Sequence, residues 1–147
     1  MSDLHLDDFY SDVARILLTL LQSFPRPHTL FVEDICGPDE PDEFGLHSKR
    51  HQACFAAMLW LADERYLRHE GPVRTEAIDQ AVLSSRSLLL LNATPRHLPL
   101  TEVSQDSPAL HRSRQTHARA LRDAVKARDS FTLRQVVLDL MNQFEGT

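Results

Sequence analysis

A chain of 147 residues, 42% hydrophobic and 25% charged, has the balance of one ordinary globular domain or of a small domain with an appendage. The longest obvious apolar run, residues 88–91, is far short of the ~18 residues that span a bilayer. The start, MSDLHLDDFYSD, lacks the basic and apolar regions of a secretory signal, so a cytoplasmic protein without membrane contact is expected.

The net charge of −5 is unevenly spread. Residues 1–46 carry ten acids against two bases, and residues 75–107 carry four against two. Residues 47–74 carry five bases against three acids, and residues 108–147 seven against four. A strongly basic nucleic-acid binder is excluded as a description of the whole chain, but two local basic zones remain. The two cysteines, Cys36 and Cys54, read most simply as small buried hydrophobes in a reducing compartment.

Residues 8–24 open the pattern with a helix. Phe9, Val13, Ile16, Leu17, Leu20, Leu21 and Phe24 recur at steps of three and four, giving one apolar stripe. Asp7, Asp8 and Asp12 lie near its start, where the helix dipole favours acids, and Pro25 and Pro27 end it. Residues 29–32 read as a short strand. Gly37, Pro38, Pro41 and Gly45 then break the chain around a solvated acidic turn, Asp39, Glu40, Asp42 and Glu43, with room for one turn of helix.

Residues 48–66 predict a second long helix. At 100° per residue, Cys54, Phe55, Met58, Leu59, Leu61, Ala62 and Tyr66 fill one wide arc, assigned to core. The opposite arc holds Lys49, Arg50, Ala53, Ala56, Ala57 and Trp60. Residues 66–70 and 77–83 read as a β-ribbon around the turn EGPVRTE. Ser84 is a good cap for a short leucine-rich helix at 85–93. Prolines at 95, 99 and 108 mark a linker. Two more helices follow, the first carrying Leu110, Ala118, Leu121 and Val125. The second carries Phe131, Leu133, Val136, Val137, Leu140, Met141 and Phe144, with Ser130 as its cap.

The segments MLWLADERYLRHE and AIDQAVLSSRSLLLL, in the order helix, strand, turn, long helix, ribbon, short helix, resemble the winged helix-turn-helix superfamily over residues 8–93. Two positions depart from its habits. Arg65 stands where a glycine often ends the third helix, and Ser87 follows Arg86 where glycine is also common. The resemblance implies a mainly α, α+β fold: a winged-helix domain at 8–93, a linker at 94–108 and a helical extension at 109–145. It also implies that the third helix and wing meet double-stranded DNA. Lys49, Arg50 and Gln52 would then contact the groove, while Arg68 and Arg74 hold phosphates from the wing.

Other features point elsewhere. The acidic turn beside the third helix repels phosphate. The outer face of that helix offers Ala53, Ala57 and Trp60, a surface for a close helix contact or a homodimer. Leu121, Val125, Val137 and Met141 could join such an interface from the C-terminal helices, or those helices could cover the face within one chain. Arg112, Arg119, Arg122 and Lys126 form a basic stripe that suits an acidic partner or simple solvation. His47, His51 and Cys54 fall on one helical face, and Cys36 would complete a zinc set. Their spacing matches no trusted zinc-finger pattern, so no metal or cofactor is expected. No phosphate loop, nucleophile elbow or carboxylate pair suggests an enzyme. The expectation is a small non-enzymatic DNA-binding or regulatory protein, with a protein-interaction module on the same scaffold as the alternative.

Overall fold

The computed structural model describes residues 4–95 and 115–146 and divides into two compact units, with the boundary between Ser84 and Ser85. The chain is mainly helical with one small antiparallel sheet, an α+β arrangement. None of its described helices is long and apolar enough to cross a membrane.

The first unit runs α1 (Leu4–Ser23), β1 (His28–Phe31), α2 (Val32–Cys36), α3 (Lys49–Asp63), β2 (Leu67–Arg68), β3 (Gly71–Val73) and β4 (Ala77–Leu83). The stripe on α1 is buried as its spacing requires, with Val13, Ile16, Leu17 and Leu20 inside. It packs chiefly on α3 and also on β4. Each such side chain contributes roughly 1.5–3 kcal/mol by leaving water. The strand expected at 29–32 ends one residue early. Val32 instead opens the five-residue α2, its N–H donating to the Glu76 carbonyl at 2.9 Å. The single helical turn therefore falls before the acidic segment, not within it.

The buried side of α3 is rotated slightly from the sequence wheel. His51, Cys54, Ala57, Met58 and Leu61 are inside, while Phe55, Leu59 and Ala62 are only half-buried. The helix ends on a left-handed residue that is not glycine. Arg65 has φ 71°, Tyr66 N–H donates to the Leu61 carbonyl at 2.8 Å, and Arg65 N–H donates to the Ala62 carbonyl at 3.1 Å. This is a Schellman closure with a left-handed arginine, a conformation that costs an L-residue about 1 kcal/mol relative to glycine.

Every ladder of the sheet runs through β4. His28, Leu30 and Phe31 of β1 pair with Ala81, Ile78 and Ala77 on one edge. On the other edge Leu67 and Arg68 of β2 pair with Leu83 and Val82, and Gly71 to Val73 of β3 pair with Asp79 to Ala77. The expected two-stranded ribbon is thus present, with its first arm split into β2 and β3 around His69 and Glu70. Buried residues Ala77, Ile78, Ala81, Val82 and Leu83 make β4 the floor of this core.

The second unit holds α4 (Ser85–Leu91), α5 (His117–Ala127) and α6 (Ser130–Glu145). The short helix expected to close the first domain packs on α5 and α6 instead. Leu90, Leu91, Leu121, Val136, Val137, Leu140 and Phe144 supply the interior. Arg86 lies 4.2 Å over the Phe144 ring and donates to that residue's carbonyl. Thr116 caps α5. Asp129 rather than the expected Ser130 caps α6, its carboxylate accepting from Thr132 N–H at 3.2 Å and from the Thr132 hydroxyl at 2.6 Å. Apart from Thr94 and Pro95, the expected linker at 94–108 lies outside the described residues, as do Leu110 and Arg112.

His117 is fully buried, with Nε2 2.9 Å from the Gln143 side-chain oxygen and 4.0 Å from Asp139. Burial pushes its pKa below the ordinary value, against the opposing pull of Gln143 and Asp139. The folded state therefore stays neutral where an unfolded histidine, with pKa about 6.5, takes up a proton. Stability of the second unit should fall as pH drops below that value. Denaturant unfolding between neutral and mildly acidic pH should show a weaker pH dependence for His117→Gln than for the natural chain.

Candidate binding surfaces around the third helix

The N-terminus of α3 was the expected DNA-reading end, and there the structure commits two of the three named side chains. Arg50 donates from both guanidinium arms to Asp12, at 2.7 and 2.5 Å, and its Nε lies 3.6 Å from Asp8. Asp12 is 1% exposed, so this is a bidentate pair between α1 and α3 with a buried carboxylate. The pairing raises the Arg50 pKa, the Asp12 hydrogen bonds being the main cause. Gln52 is exposed but turns back, its amide donating to the His47 carbonyl at 2.8 Å. Lys49, Arg68 and Arg74 are exposed, with Arg74 at φ 54° in the turn before β4.

The acidic turn folds over this helix end. Asp42 ties the turn to itself, accepting from Phe44 N–H and Leu46 N–H, both at 2.9 Å. Asp39 then joins it to the helix, accepting from Ser48 N–H at 3.1 Å and lying 2.9 Å from His47 Nδ1. Ser48 is the cap, its hydroxyl accepting from His51 N–H. These bonds hold the Asp39 carboxyl down at about 2, through Ser48 first and His47 second.

His47 and His51 stack with ring centroids 3.7 Å apart and planes 7° apart. His47 Nε2 lies 2.6 Å from Glu76, and His51 Nε2 lies 2.7 Å from the Thr75 carbonyl. The turn before β4, the start of α3 and the acidic turn meet at these two rings. The sequence pattern had the histidine pair but gave it the wrong companions. Asp39, not cysteine, joins it: one ligand-type atom from each of Asp39, His47 and His51 lies within 4.8 Å of the others. Cys36 and Cys54 interact with each other beside Asp12 and Arg50. Burial pushes both thiols up.

A second surface lies where α1 crosses α3. A groove of about 340 Å³ is lined mainly by Leu6, Phe9, Ala53, Ala56, Ala57 and Trp60. Trp60 is 38% exposed, although Phe9 meets it edge-on at 5.3 Å and Tyr66 stacks at 6.1 Å. Its indole is thus flanked by aromatic neighbours while part of it meets solvent. Of the other expected interface residues here, Ala53 is exposed and Ala57 is 3% exposed at the groove floor. Sequence reasoning found the α3 side of this groove but missed Leu6 and Phe9. Phe9 had been read as a core position of α1, and only its pairing with Trp60 reveals its second role.

In the second unit, Leu121 and Val137 are spent on the packing of α5 against α6, while Val125 and Met141 are half-buried. Arg119, Arg122 and Lys126 are exposed on α5. No protein-family model, no characterised protein and no solved structure matches the chain.

Proposed function

We propose that the protein is a non-enzymatic interaction module that takes an apolar helix of a protein partner into the α1/α3 groove, on a scaffold of winged-helix type. The observation that carries this is the pre-positioned Trp60, half-exposed above a floor of small residues and braced by Phe9 and Tyr66. A rigid aromatic beside alanines accepts a close-packed helix with little loss of side-chain entropy. The scaffold part rests on the order helix, strand, helix, helix, ribbon, and on a sheet with its last strand in the middle. The acidic turn bonded across the start of α3, and Arg50 held by Asp12, favour this reading over DNA contact.

Trp60→Glu should abolish capture of a specific partner while the far-ultraviolet circular dichroism stays that of the folded chain, its stability lowered by loss of the Phe9 and Tyr66 contacts. Sedimentation at rising concentration tells whether that partner is a second copy. A partner retained undiminished by Trp60→Glu would sink the proposal.

A second reading, a DNA-binding regulator, keeps support from the exposed Lys49, Arg68 and Arg74. Fluorescence anisotropy with duplex DNA at about 50 and 200 mM salt decides it. Released counterions make true phosphate binding steeply salt-dependent, and Lys49→Ala/Arg68→Ala/Arg74→Ala should then weaken it. No binding at low salt removes this reading.

A further inference from the structure

We infer that Asp39, His47 and His51 form a binding site for a divalent transition metal ion, zinc being the best match, which ties the acidic turn to the start of α3. The donor set is the first argument. Two imidazoles and one carboxylate suit zinc, and three protein ligands leave the fourth tetrahedral position to water. Their ligand-type atoms already lie within 4.8 Å of one another, drawn from the acidic turn and from the start of α3.

The second argument is His51. Its ring is fully buried and its Nε2 donates to the Thr75 carbonyl at 2.7 Å. That bond fixes the tautomer, so Nδ1 carries a lone pair, and Nδ1 has no hydrogen-bond partner. A buried acceptor left empty is costly, whereas a metal ligand whose other nitrogen donates to a backbone carbonyl is the usual arrangement at a metal centre. His47 repeats the pattern: Nε2 meets Glu76 at 2.6 Å while Nδ1 faces Asp39 at 2.9 Å.

The third argument is charge. With Nε2–H given to Glu76, a neutral His47 would present an Nδ1 lone pair to the Asp39 carboxylate. A metal ion at that point relieves the clash and also satisfies His51 Nδ1. An imidazole binds metal in its own plane, so the two parallel rings must splay on loading.

The test is calorimetric titration of zinc into the full chain after treatment with a chelator, beside Asp39→Asn, His47→Gln and Glu76→Gln. Asp39→Asn keeps an oxygen for Ser48 N–H, so the turn is retained. The expected result is one zinc per chain. Binding should be weakened roughly tenfold by Glu76→Gln and at least ~100-fold by either ligand change, since outer-shell changes alone cost about 10–100-fold. With cobalt in place of zinc, the paramagnetically shifted ring protons should belong to His47 and His51. Absence of one-to-one binding would overturn the site, as would equal affinities in all four proteins or shifted resonances from other histidines.

Discussion

Arg50→Met should destabilise the first unit by about 3 kcal/mol, because it strands the Asp12 carboxylate. Asp12 is 1% exposed and both its oxygens accept from Arg50, so removing the guanidinium leaves a buried charge without its partner. The loss exceeds what an exposed ion pair is worth, roughly 0–1 kcal/mol. Arg50 itself is 35% exposed by side chain, so the reverse change is milder: in Asp12→Leu the guanidinium can turn to solvent. The double change Asp12→Leu/Arg50→Met should recover most of the loss, since a buried pair replaced by apolar groups is often neutral. Urea unfolding of the four proteins, closed as a double-mutant cycle, measures the coupling. A single Arg50→Met within ~0.5 kcal/mol of the natural chain would mean that the pair does not hold α1 to α3 and that Arg50 remains available for phosphate.

Leu121→Ala should cost the second unit about 3 kcal/mol, in the range of fully buried leucines. Leu121 is 0% exposed within one chain, against α6 residues such as Val137 that the sequence also allowed as dimer contacts. The two roles differ in how they respond to concentration. A core leucine lowers the melting temperature equally at any protein concentration, whereas an interface leucine makes the loss shrink as concentration rises. Calorimetric scans over a hundredfold range of concentration separate them, and the packing predicts no dependence.

The fold class was readable where periodicity is strong. The stripes of α1 and α6 each name their own buried face. Reading failed where a residue's meaning depends on a distant partner. Arg50 on a helix start looks like a phosphate ligand until Asp12, a full helix away in sequence, is found beneath it. Asp39 in an acidic turn looks solvated until the turn closes on His47. The leucines at 88–91 announce burial but not against what; in the structure α4 packs on α5 and α6. Trp60 was legible as an anchor, yet Phe9 and Leu6 opposite it were not, because the crossing of α1 over α3 is not written in either helix alone.

The central position of β4 also sets an order of events. No two of the other strands pair with each other, so His28 must wait for Ala81, and Leu67 for Leu83. Closing the first of these loops over most of the unit is entropically demanding and slow beside helix formation. During synthesis β1 therefore has no partner until residues 77–83 have emerged, and a chain cut before residue 77 lacks the strand on which every ladder depends. Anything that stalls translation in that window would expose an unpaired strand edge to neighbouring chains.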